Sequence, residues 1–147
     1  MNKLTSLFFA LGVVALGACN NDDDDNVTPA NTMMTVSATL DNKQAVPTTV
    51  STATGMMTGT FDKTTKVLQY NVTYQGLSPT MGHLHFGKPG KKGNIAVGFN
   101  DVSKSPITGT VTLQPSTADS LMAGQIYVNL HSTAYPGGEI RGNVTAK

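Results

Sequence analysis

The stretch "LQYNVTY" (residues 68–74) alternates apolar and polar side chains without interruption. Leu68, Tyr70, Val72 and Tyr74 alternate with Gln69, Asn71 and Thr73. Because successive side chains of a β-strand point to opposite faces, a period of two is typical of a strand with one buried face. The stretch therefore predicts a strand whose leucine, valine and tyrosines face a core.

Similar patterns occur in both directions from this stretch, with turn-forming sequences such as "FDKTTK", "GLSPT" and "YPGG" between them. The other candidate strands are 35–40, 57–61, 82–86, 95–99, 107–113, 125–131 and 139–145. Short strands at this spacing predict an all-β domain, an antiparallel, Greek-key-like β-sandwich of seven or eight strands. Only "STADSLMAG" (116–124) predicts a short helical turn, with Ser116 or Thr117 as its cap and Leu121 and Met122 docked on the core.

The strand faces also predict which residues form the core. Each predicted core residue lies on the apolar face of a candidate strand. They are Tyr70, Val72, Ile95, Val97, Val111, Ile126, Val128 and Ile140.

The beginning of the sequence predicts export. Residues 1–18 combine an early lysine, an apolar run and a small-residue ending, which is the pattern of a signal peptide and too short for a membrane span. The ending "LGAC" resembles the lipobox of bacterial lipoproteins, which implies that Cys19 carries lipid. Residues 19–32 include four consecutive aspartates and predict an acidic, disordered tether. Residues 33–147 then have the size of one domain.

Cys19 is the only cysteine, so it has no disulfide partner within the chain, and lipidation would remove an exposed thiol. The acidic run after it resembles the export signal of surface-directed lipoproteins, which implies a lipid-anchored protein of the bacterial outer membrane. The net charge of +1 indicates no nucleic-acid partner. The predicted membrane contact is the lipid on Cys19.

Three motifs in the predicted domain resemble the CHRD (chordin-type) domain. They are His83-x-His85-x-Gly87, the run from Tyr127 to His131, and "PGGEIRG" at residues 136–142. The resemblance covers nearly all of residues 33–147. It implies a β-sandwich outside the cytoplasm and no established reaction.

The histidines are the candidate site. In a strand, His83 and His85 share the face opposite Leu84 and Phe86, and His131 lies on the core-averted face of a later strand. A His-x-His pair with a distant third histidine is a common way to bind copper or zinc with one coordination position open. The alternative is that the imidazoles form hydrogen bonds with loops, with Asn129 and Glu139 as partners. The three can meet only if their strands are neighbours.

The His-x-His strand also resembles the copper side of Cu/Zn superoxide dismutases, but important parts of that pattern are missing. No histidine matches the metal-bridging ligand, no cysteine pair is present, and Glu139 stands where a substrate-guiding arginine would be expected. Superoxide dismutation is therefore not favoured. No nucleophile triad, phosphate loop or nucleotide fingerprint indicates another reaction.

Two further groups have alternative interpretations. Glu139 and Arg141 are predicted to form an exposed ion pair, or Glu139 accepts a hydrogen bond from His131 and orients its ring, with Asn129 as a second supporting residue. The lysines of "GKPGKKGN" (87–94) are interpreted as a solvated hairpin tip, with attraction of an anionic glycan or phosphate as the alternative.

Two functions remain compatible with the sequence. One is a non-catalytic, lipid-anchored module that binds protein or glycan or has a structural role in the envelope. The other is a metalloprotein that holds copper or zinc at His83, His85 and His131, with Glu139 and Asn129 behind them.

Overall fold

The computed structural model describes residues 31–147. The predicted signal peptide, the predicted lipidation site Cys19 and most of the predicted acidic tether lie outside this range. The elements in chain order are β1 Met33–Leu40, β2 Thr54–Asp62, β3 Val67–Gln75, β4 Met81–Phe86, β5 Ile95–Gly98, β6 Ile107–Thr112, α1 Pro115–Met122, β7 Ile126–His131, β8 Ile140–Asn143 and β9 Thr145–Ala146. All eight candidate strands are present.

The strands form two antiparallel sheets. Sheet I has the order β6-β3-β2-β1-β9, and sheet II has the order β5-β4-β7-β8. The predicted all-β, antiparallel sandwich with one short helix is confirmed. In the part of the chain that the structure describes, no helix has the length and apolar character needed to cross a bilayer.

The core lies between the inner faces of the two sheets. Met57, Phe61 and Leu68 of sheet I are fully buried, as are Val128 and Leu130 of sheet II. β3, which contains "LQYNVTY", contributes alternate residues to this core. Leu68, Tyr70 and Val72 are buried. The face of β3 that the period-two pattern predicts to be buried is therefore confirmed.

The predicted core is wrong at Ile95. Tyr70, Val72, Ile126, Val128 and Ile140 are buried, and Val97 and Val111 are partly buried, but Ile95 is 55% exposed. A β-bulge interrupts the pairing of β4 with β5. Leu84 pairs with Val97, whereas the next residue, His85, pairs with Ile95. Since paired residues share a face, the extra residue in β5 moves Ile95 to the histidine side of sheet II.

The helix differs from its prediction in its capping residue and in one of the two residues predicted to dock on the core. It begins at Pro115, a residue suited to the first helical position, and Gln114 precedes it without a capping side-chain hydrogen bond. Capping by Ser116 or Thr117 is therefore wrong. Leu121 is buried as predicted, whereas Met122 is 42% exposed.

The outer face of sheet II is covered as well. All six residues of β7 are buried, although alternate ones point away from the sandwich core. Thr49 Oγ1 donates to the Glu139 carbonyl at 3.0 Å, and the Gly93 amide donates to the Tyr127 hydroxyl at 3.3 Å. Loop segments before β2 and between β4 and β5 thus enclose a second, polar layer.

The assignment of the faces of β7 can be tested with two valine substitutions. Val128→Ala should lower the free energy of unfolding by about 1 to 3 kcal/mol, because Val128 is fully buried and the change leaves a cavity. Val50→Ala is the matched control, since Val50 is 89% exposed. Denaturant titration measures both, and equal midpoints for the two variants would show that the faces of β7 are reversed.

Candidate metal centre

The register between β4 and β7 brings the three histidines together. Met81 pairs with His131, His83 with Asn129, and His85 with Tyr127. Paired residues lie on the same face, so all three imidazoles project from the outer face of sheet II. One ring nitrogen from each histidine lies within 4.8 Å of those of the other two. His83 Nδ1 is 3.3 Å from His131 Nε2.

Two backbone carbonyls orient the rings. His85 Nδ1 lies 3.1 Å from the Gly93 oxygen, and His131 Nδ1 lies 2.9 Å from the Pro136 oxygen. A carbonyl oxygen can only accept, so each Nδ1 carries the proton and donates it. With the proton on Nδ1, the Nε2 atom of a neutral ring is the one that carries the lone pair. His85 Nε2 is buried and has no hydrogen-bond partner.

The protonation state also suits metal coordination. Burial lowers the pKa of His83, and the adjacent His131 and His85 lower it further. Burial likewise lowers the pKa of His85, although its hydrogen bond to Gly93 acts in the opposite direction. A lowered pKa keeps an imidazole neutral near pH 7, and neutral imidazole is the form that binds metal.

Tyr127 fixes the position of His85. The two rings are stacked, with centroids 5.0 Å apart and planes 6° from parallel. From β8, on the other side of β7, Arg141 places its guanidinium carbon 3.5 Å from the Tyr127 ring centroid. The tyrosine therefore joins the histidine cluster to a buried cation.

Arg141 is 1% exposed and is bound to the loop between β4 and β5. Its Nη1 atom donates to the Lys91 carbonyl and its Nη2 atom to the Lys88 carbonyl, each at 2.9 Å. The predicted exposed ion pair with Glu139 is wrong, because both side chains are buried and have other partners. The Glu139 carboxylate accepts a hydrogen bond from Ser51 Oγ at 2.6 Å.

The supporting residues also differ from the prediction. The hydrogen bond of His131 Nδ1 goes to Pro136, so the structure does not show Glu139 orienting this ring. Asn129 Nδ2 instead donates weakly to the Gly137 carbonyl at 3.4 Å. Gly138 has φ +118°, and a side chain there would collide with Asn129. Asn129 thus packs against the turn that presents Pro136 to His131.

Comparison with known protein families identifies the domain. The CHRD domain matches residues 36–144, which include the sandwich core and all three histidines. The chain belongs to the CHRD-domain family. No curated protein and no solved structure matches it.

Several residues of this CHRD domain that shape the centre were not identified from the sequence. Gly93 and Pro136 act through their backbone carbonyls. Every residue has a backbone carbonyl, so the sequence does not indicate which ones bind the histidines. Tyr127 and Arg141 had a detectable signal, since each lies in a motif of the family and on the same strand face as a candidate residue. The side chains of Lys88, Lys91 and Lys92 are exposed, as the predicted hairpin tip requires, but two of their carbonyls hold Arg141.

A pair of glycines in the CHRD domain tests how tightly the covering loop must pack. Gly93→Ala should lower the free energy of unfolding by about 1 to 3 kcal/mol, because the new Cβ would overlap the Phe86 carbonyl oxygen. The resulting backbone shift should also displace the carbonyl that orients His85. Thermal denaturation measures the first effect.

Gly137→Ala is the control, since a Cβ there meets nothing within 4 Å. Equal melting temperatures for the two variants would show that the loop adjusts freely and does not fix the ring of His85.

Proposed function

We propose that the chain is a lipid-anchored CHRD module of the bacterial envelope that binds copper or zinc through His83, His85 and His131. The observation that supports the metal site is the buried, unpartnered Nε2 of His85, in a cluster with ring nitrogens of two further histidines. An unpaired polar atom in a buried position is unfavourable, and a metal ion would give it a partner.

The spacing of the nitrogens fits such an ion. Ligands at about 2.0 to 2.1 Å from a tetrahedral metal lie roughly 3.3 to 3.4 Å from one another. His83 Nδ1 and His131 Nε2 are 3.3 Å apart, which agrees with this separation. His85 Nε2 completes the set after a small adjustment within the 4.8 Å limit. The donor set is therefore His83 Nδ1, His85 Nε2 and His131 Nε2.

The chemistry of these donors selects the class of metal. Imidazole nitrogen suits copper and zinc, whereas calcium and magnesium require oxygen ligands. The three histidines leave a fourth position for a small ligand. When bound, copper would provide redox chemistry and zinc a Lewis acid, and the protein would hold either ion in storage, sensing or redox protection. The hydrogen bonds to Gly93 and Pro136 would keep two of the rings in place.

Calorimetric titration of the purified, metal-free protein with copper and with zinc tests this proposal. We expect one ion bound per chain, and stabilisation of about 2.7 kcal/mol when the free ion is at 100 times its dissociation constant. His85→Ala should weaken binding at least about 100-fold, because removal of a supporting residue alone commonly costs about 10 to 100-fold. Gln69→Ala, an exposed substitution on sheet I, is the control.

Melting temperatures of the metal-free variants distinguish loss of a ligand from loss of the fold. Failure of the wild-type protein to bind either ion, with an unchanged melting temperature in their presence, would reject the metal site. The chain would then be a non-catalytic module that binds protein or glycan or has a structural role, with histidines that hydrogen-bond the covering loops.

Anchoring through Cys19 is a separate part of the proposal and rests on the lipobox-like sequence alone. Cys19→Ala should move the protein from the membrane fraction to the soluble fraction of the envelope, because the thioether-linked lipid is lost. The near-ultraviolet dichroism of the released domain should be unchanged. A Cys19→Ala protein that stays fully in the membrane fraction would exclude lipid anchoring at this residue.

A further inference from the structure

A small cavity lies beside the histidine cluster, between the outer face of sheet II and its covering loops. Its volume is about 110 Å³, and its polar lining comes from His85, Lys92, Tyr127, Asn129, His131 and Arg141. Two of these side chains are cationic, and no carboxylate lines the cavity. The enclosed space is therefore positively charged before any metal is considered.

Arg141 has no counter-charge in the described structure. It is 1% exposed, and its hydrogen-bond partners are the Lys88 and Lys91 carbonyls and the Asn143 amide oxygen. The carboxylate two residues earlier, that of Glu139, is bound to Ser51. A guanidinium stays charged under ordinary conditions, and burial of a charge without a compensating partner is strongly unfavourable. An anion in the adjoining cavity would supply the missing charge.

The buried polar atoms without a hydrogen-bond partner indicate which groups this anion must carry. Four buried side-chain polar atoms in residues 31–147 lack a hydrogen-bond partner, and three of them belong to residues that line this cavity. Arg141 Nε is a donor and Asn129 Oδ1 is an acceptor, whereas His85 Nε2 is the atom assigned to the metal. A ligand that satisfies both kinds of atom needs acceptor oxygens and an O–H group.

We propose that this cavity binds a small protonated oxyanion of the hydrogencarbonate or hydrogenphosphate class. Its oxygens accept a hydrogen bond from Arg141 Nε and are attracted by the positive charge of Lys92. Its O–H group donates a hydrogen bond to Asn129 Oδ1. A cavity of about 110 Å³ has room for an anion of a few heavy atoms. The site requires no metal, so it can be tested whether or not the histidines bind one.

The test is a nuclear magnetic resonance titration of the metal-free protein with sodium hydrogencarbonate and with sodium phosphate at constant ionic strength. The Nε–H resonance of Arg141 should shift with saturation at one site per chain. Sodium formate has acceptor oxygens and no O–H, so it should bind more weakly. A merely structural Arg141 would give no saturable shift with any of the three salts.

Two lysine variants keep the test independent of the stability of Arg141 variants. Lys92→Gln should raise the dissociation constant about two- to fivefold, as expected for an exposed charge. Lys104→Gln removes an exposed lysine that does not line the cavity and should change nothing. Arg141→Lys should weaken binding at least about tenfold, because it removes the Nε–H donor that the anion contacts.

Three results would overturn the proposal. One is the absence of a saturable Arg141 shift at millimolar anion concentrations. Another is an equal effect of Lys92→Gln and Lys104→Gln, which would indicate general attraction to surface charge. The third is equal affinity for formate and hydrogencarbonate, which would remove the role of the O–H group. None of these results depends on whether copper or zinc binds.

Discussion

The antiparallel register of β4 against β7 is the constraint on which the candidate centre depends. His83 opposite Asn129 places His85 beside Tyr127 and leaves His131 at the end of the same face. A shift of one residue would send the imidazoles into the apolar core and bring Leu84 or Leu130 to the outer face. The buried contacts of Leu84, Val128 and Leu130 oppose that shift. The same apolar packing that stabilises the sandwich therefore keeps the three histidines together.

A second layer of structure depends on Arg141. The inner face of sheet II is covered by sheet I, but its outer face is covered by loops. The guanidinium contacts the Tyr127 ring and binds two loop carbonyls, so one side chain connects β8, β7 and the loop after β4. Burial lowers the pKa of His85, and the nearby charge of Arg141 lowers it further. Arg141 also lines the small cavity.

Much of the fold was predictable because period-two alternation and turn residues are local properties. The eight strands, the faces of β3 and β7 and the core-averted position of each histidine followed from parity alone. That the three histidines meet depends on the pairing of β4 with β7, which parity left open. Ile95 was misplaced because a β-bulge changes parity at one point without a sequence signal of its own. The burial of Arg141 and the partner of Glu139 were missed because they depend on loops distant in sequence, which bring Lys91 and Ser51 to the sheet.

Arg141 recognises its loop through the main-chain oxygens of Lys88 and Lys91, while the side chains of these lysines remain in solvent. Any residue at these two positions would offer the same carbonyls, provided that the backbone keeps its path. The exposed side chains of the loop can therefore differ between related proteins, or be redesigned, without altering the histidines beneath it. The domain thus separates the exposed side chains of this loop from the layer beneath it, which contains the histidines.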